Sequence, residues 1–260
     1  MSAPTPEPTE DNRAPSYETA RTTHPEVLLT HDAQRLFWTL SSPLTSAISV
    51  MEDKWHDPDV PLEPYCVQIE PSLIWHSIAQ SPLTEPKISS VTVSVEQLDD
   101  WEEAWWELRQ DNDDIVPVGT AFESDEDDDE DSDPDDRKRA LRSCYAGMPR
   151  DVKATLDVRA TGNFITVHDY VSAVHPWLVG LREQILKASG DLLDDIPLPG
   201  DTRLVVDVFP SPVCVSAVEE GEWKRIRDKK KHEEDMRRLE AYEQKKKAKE
   251  HEAYMQDQGW

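Results

Sequence analysis

Between Glu96 and Asp136 the chain carries 20 acidic residues and one basic residue, Arg109, for a net charge of −19. No compact core can enclose such a run, because neighbouring carboxylates repel one another and the segment that holds its densest part, AFESDEDDDEDSDPDDRKRALRS (121–143), offers no apolar face to bury. The run therefore divides the chain. A fold must be assembled from the segments on either side, with residues 111–143 as a disordered acidic insertion. It also supplies most of the total charge of −26 over 260 residues.

The flanking segments carry enough pattern for a core. RLFWTLSSPL (35–44) suits either a strand or a helix and favours a strand through its β-forming residues. YCVQI (65–69) reads as a strand between Pro64 and Pro71, and PSLIWHSIAQSP (71–82) as one or two helical turns. Val91, Val93 and Val95 alternate as a half-buried strand. A helix with Leu98, Trp101, Trp105 and Leu108 on one face follows, with Ser94 and Gln97 spaced as a capping box. VKATLDV (152–158), RLVVDVF (203–209) and VCVSAV (213–218) read as strands. The two prolines at 210 and 212 suggest a wide turn or an edge position for the last of them.

TVHDYVSAVHPWLVGLREQIL (166–186) is the strongest helical signal. Thr166 is a good N-cap with Asp169 at N3, and Ile165 and Tyr170 have the spacing of a hydrophobic staple. Tyr170, Val171, Val174, Leu178, Leu181 and Ile185 continue as one apolar stripe, and Pro176 predicts a kink or restart near His175. His168 and His175 are seven apart, or ~10.5 Å of helical rise, too far to share one metal ion on a regular helix. They read as an exposed histidine in the first turn and a boundary histidine at the kink.

These elements predict an α+β fold: one small mixed domain over residues 27–227, interrupted by the acidic insertion. Residues 1–26, poor in large apolar groups, are expected as a disordered tail. From Glu219 the chain turns helical, and residues 228–260 are expected as a charged, solvent-exposed helix or coiled coil.

No Gly-rich phosphate loop, nucleophile elbow or H-E-x-x-H zinc motif is present, and no cofactor is indicated. His31-Asp32 and His56-Asp57 are adjacent pairs without partners at a readable spacing. Cys66, Cys144 and Cys214 suggest no disulfide framework, and no run approaches the ~18 apolar residues of a membrane span. The balance points to a cytoplasmic or nuclear protein. A phosphate backbone needs a positive surface, so nucleic acid is a poor partner for this charge, and basic proteins are the natural complement.

Two charge features stand out as candidate sites. Glu123, Asp125, Glu126, Asp127, Asp128, Asp129, Glu130 and Asp131 form a surface for a basic partner, with Ser124 and Ser132 in the acidic context that casein-kinase-2-type kinases prefer. Lys224, Arg225, Arg227, Lys229, Lys230 and Lys231 have the composition of a nuclear-localisation cluster. The layout of FITVHDYVSAVHPWL, then LVVDVF and a Trp-bearing helix, resembles proteins of filamentous fungi with a domain of unknown function. The likeness covers residues 150–227 and implies no catalytic residues. The expected function is thus a non-enzymatic intracellular protein-interaction module. The alternatives are an acidic factor that binds histones or other basic proteins, and an enzyme whose site is assembled from distant residues.

Overall fold

The computed structural model describes residues 13–40, 43–57, 59–111, 154–193, 197–208 and 211–257. It is α+β, built on a mixed seven-stranded sheet. The helices are α1 (Tyr17–Thr23), α2 (Leu44–Ala47), α3 (Glu96–Asp111), α4 (Val167–Leu193) and α5 (Glu220–Asp257). The strands are β1 (Leu28–Leu29), β2 (Leu36–Thr39), β3 (Ile48–Val50), β4 (Glu63–Pro64), β5 (Cys66–Ile69), β6 (Ser72–Trp75), β7 (Thr84–Glu85), β8 (Ser90–Val95), β9 (Thr155–Arg159), β10 (Leu204–Asp207) and β11 (Cys214–Glu219).

The main sheet has the order β4-β3-β2-β10-β11-β8-β9, while β1 pairs with β7 and β5 with β6 in separate two-stranded ribbons. Within the main sheet only β11 and β8 run parallel; Cys214 lies opposite Ser94 and Val215 opposite Val95. β11 is therefore an interior strand rather than the edge that its neighbouring prolines suggest. Pro212 sits in the connection before β11, outside the ladder, where a missing N–H costs nothing.

The two central strands are buried on both faces. Leu204 and Val206 join Leu36 and Trp38 in the main core beneath α4, whereas Phe37, Val205, Met51 and Trp223 form a second cluster beneath the start of α5. Alternating side chains along one strand thus enter different cores. This is why LFWT is buried at every position instead of at every second one.

The start of α4 follows the sequence expectation. Asp169 Oδ2 accepts from the Thr166 amide and hydroxyl, both at 2.9 Å, and the Asp169 amide donates to Thr166 Oγ1 at 3.0 Å. That reciprocal arrangement satisfies orphan donors of the first turn, and the staple residues Ile165 and Tyr170 are both buried. Pro176 does not end the helix, which runs as one element through Leu193. The Pro176 side chain is exposed, so the ring displaces no core contact.

Three further expectations are corrected. The N-terminal tail does not extend to residue 26: Ser16 caps α1, Tyr17 and Ala20 are buried, and the Ala14 and Ser89 amides donate to Asn163 and Pro15 carbonyls at 2.8 Å. Few apolar groups suffice there because the backbone bonds carry the docking. The capping box at Ser94 and Gln97 is not made. Gln97 instead donates to Ser216 Oγ and accepts from the Ala217 amide, joining α3 to β11. Residues 72–75 form β6 rather than a helical turn, and only Ser77–Gln80 winds into a short 3-10 helix.

Candidate docking surface

His168, His175 and Asp32 hold the fold together. His175 is buried, and its Nδ1 accepts from Trp38 Nε1 at 2.9 Å. The acceptor role places the proton of a neutral ring on Nε2. His168 is not the exposed histidine expected. It packs against Trp75 with the rings tilted and their centroids 4.4 Å apart, and lies 3.4 Å from the Tyr65 hydroxyl. Burial pushes the Tyr65 phenol and the neighbouring Cys66 thiol upward, leaving both protonated and unreactive near neutrality. Asp32 accepts from Ser81 Oγ and pairs with Arg35, tying two loops.

The basic cluster is divided by the helix that carries it. Trp223, Arg227, Lys230 and Glu234 recur at spacings of four, three and four, so they share the face of α5 that meets the sheet. Arg227 is 5% exposed and bonds Asp207, itself 6% exposed, at 3.0 Å, and its other nitrogen donates to the Lys54 carbonyl. Lys230 reaches the second oxygen of Asp207 at 3.0 Å, and Lys54 pairs with Glu234. Burial lowers the Arg227 pKa, opposed by Asp207. Lys224 and Arg225 pair with Glu220 and Glu222 on α5 itself. An import receptor needs an accessible basic peptide, so Arg227 and Lys230 are withdrawn from that role. Lys229 and Lys231 remain exposed.

Glu123 to Asp131, with Ser124 and Ser132, lie outside the described residues, as does Cys144. Among the described residues no group of three His, Cys, Asp or Glu side chains is arranged to hold a metal ion. No helix there is long and apolar enough to cross a membrane.

The surface feature that stands apart is the β5–β6 hairpin. Residues 67–74 are exposed without interruption, and they include Val67 at 42%, Ile69 at 57%, Leu73 at 47% and Ile74 at 52%. Four of the nine exposed large apolar side chains of the described residues thus fall in one eight-residue ribbon. Scattered exposed apolar residues are ordinary, whereas a contiguous set is characteristic of a contact surface.

The register explains the arrangement. Val67 lies opposite Ile74 and Ile69 opposite Ser72, so Val67, Ile69 and Ile74 share the outer face. Cys66 and Trp75 point the other way, where Trp75 packs on Tyr65 and His168 and fixes the base of the hairpin to α4. Glu63 Oε2 accepts from His76 Nε2 at 2.9 Å, closing the base from the other side. The tip then extends past these anchors with Glu70 at the turn.

Sequence reasoning found β5 but missed β6, and with it the surface. One signal was available: between Lys54 and Lys87 there is no Lys or Arg, while Asp57, Asp59, Glu63, Glu70 and Glu85 are all acidic. Natural edge strands are commonly protected by lysine. A strand pair without that protection is unusual enough to mark.

Comparison with protein-family models, curated proteins and solved structures finds no match.

Proposed function

We propose that the protein is a non-enzymatic interaction module that docks a protein partner on the β5–β6 hairpin. The observation that carries this reading is the uninterrupted exposure of Val67, Ile69, Leu73 and Ile74 on a ribbon anchored at its base. Burying such side chains gains roughly 25 cal/mol per Å² of apolar surface removed from water. An anchored ribbon is already ordered, so little conformational entropy is lost on binding. The acidic tract supports the same function differently. Its dense negative charge raises encounter rates with basic partners through long-range attraction.

The test is site-specific photo-crosslinking in native extract from a reactive side chain at Gln68 or Leu73, with the cross-linked peptide identified. A discrete partner, lost when Ile69 and Ile74 are both replaced by threonine at unchanged melting temperature, supports the reading. Cross-linking no stronger than from a control probe at Leu239 on the exposed part of α5 refutes it.

A further inference from the structure

We infer that the hairpin binds its partner by strand addition at the outer edge of β6, and that the occupant is an extended apolar segment flanked by lysine or arginine. This rests on the hairpin being the docking surface, and adds the mode and the chemistry of what docks.

The ladder itself selects the edge. The His76 amide donates to the Tyr65 carbonyl at 2.8 Å, which makes that pair a hydrogen-bonded one. Bonded pairs alternate in an antiparallel ladder, so Val67 with Ile74 and Ile69 with Ser72 exchange bonds across the hairpin. The amide and carbonyl of Leu73 consequently point outward from β6. Neither strand has a further sheet neighbour among the described residues. α2 lies against β5, and Trp75 is partly buried against His168, so Ser72 to Ile74 are the exposed stretch of β6. A strand laid there gains main-chain hydrogen bonds and sets alternate side chains beside Ile74 on the outer face and Leu73 on the inner one.

Charge selects the occupant. Glu63 stands at the base, Glu70 at the tip, and no cation lies between Lys54 and Lys87. Apolar residues in the middle of the added strand match the exposed ribbon, and cations at its ends match the two glutamates. The same charge argues against a second copy of this chain, because edge-to-edge pairing would bring like carboxylates together on molecules that each carry −26.

The experiment uses the full chain and synthetic peptides of about twelve residues, enough to span a strand with flanks. The first alternates valine and threonine between paired lysines, the second replaces those lysines by glutamate, and the third is the first with alternate backbone amides methylated. Strand addition predicts micromolar binding of the first, at least about tenfold weaker binding of the second, and none of the third. Binding of the first should also slow amide exchange at Leu73 and be lost in Leu73→Pro, which removes the outward donor at a position where an edge tolerates proline. Should that variant lose its cooperative unfolding, the methylated peptide still decides.

Undiminished binding of the methylated peptide overturns strand addition while leaving the hairpin a docking surface. Equal binding of the glutamate peptide overturns the charge assignment. A hairpin that self-associates in sedimentation, or cross-links to its own chain, has a different occupant and overturns the inference. If no peptide binds although the partner cross-link from Leu73 is intact, the mode fails and the interaction reading stands; if the cross-link is also absent, both fail.

Discussion

Replacing Asp207 with alanine leaves the Arg227 guanidinium, 5% exposed, beside the sheet without the carboxylate 3.0 Å away. Removing one partner of a buried pair costs about 3–5 kcal/mol, because the remaining charge is neither hydrated nor compensated. The Lys54 carbonyl still accepts from Arg227, but a neutral acceptor offsets only part of that cost. Lys230 adds little, since its side chain is 27% exposed and can return to water. For a domain of this size each kcal/mol lowers the midpoint by about 2–4 °C, so Asp207→Ala should lower it by about 6–20 °C. Thermal and urea unfolding followed by tryptophan fluorescence are the assays, with Trp223 stacked against Arg227 as a local reporter. The double substitution Asp207→Leu with Arg227→Met removes both charges and should recover at least half of the loss. A single variant that loses under about 1 kcal/mol, or a double variant no better than the single, refutes the role assigned to the pair.

Three further outcomes are expected. Thr166→Ala removes the α4 cap and should cost about 0.5–2 kcal/mol in urea unfolding, with a loss confined below that range if the cap bonds are not made. Trp38→Phe takes away the donor to His175 Nδ1 and should cost about 1–3 kcal/mol beyond the smaller ring's packing loss; Trp38→Phe and His175→Ala should then be strongly non-additive in a double-mutant cycle. His56, packed on Phe37 and Trp223, is held below its ordinary value of 6.5 first by burial and then by Lys224, against Glu220, Asp57 and Asp228. The unfolded chain then binds the proton more readily, so this contribution is complete above about pH 6.5 and is lost as pH falls from there toward the depressed folded value. His56→Phe should flatten that part of the stability profile relative to the parent, and an unchanged slope would show that His56 does not titrate as described.

How far the sequence could be read depended on whether the determinants were local. The start of α4 was legible because the cap, the acid three residues on and the staple all lie within six residues, and each interacts within its own turn. The strands β8, β9, β10 and β11 were legible from alternation, but their order was not, since the parallel pairing of β11 with β8 is fixed by contacts more than a hundred residues apart. α1 was missed for the same reason: its docking uses backbone bonds to Asn163 and Ser89 that leave no apolar pattern in the segment. The basic cluster was misjudged in a different way. Its composition suggested a nuclear-localisation cluster, yet the spacing of Arg227 and Lys230 from Trp223 puts them on the side of α5 that meets the sheet, facing an aspartate that reads in sequence as part of a strand. β6 was mistaken for helix because Leu73, Ile74 and Trp75 are consecutive apolar residues, a run that periodicity cannot assign.

The central claim is that partner binding resides in the hairpin and that the acidic tract only assists it. The direct measurement is the affinity of one cross-link-identified partner for three full-length proteins: the parent, the Ile69→Thr with Ile74→Thr variant, and a variant with neutral residues at 123–136. Each is measured across a range of salt. The expected result is that the hairpin variant loses binding at every salt concentration. The tract variant should retain most of it near ~0.15 M salt and differ mainly at low ionic strength, where screening is weak. Binding that survives the hairpin substitutions and disappears with the acids would contradict the account, and would assign the interaction to the charged insertion instead.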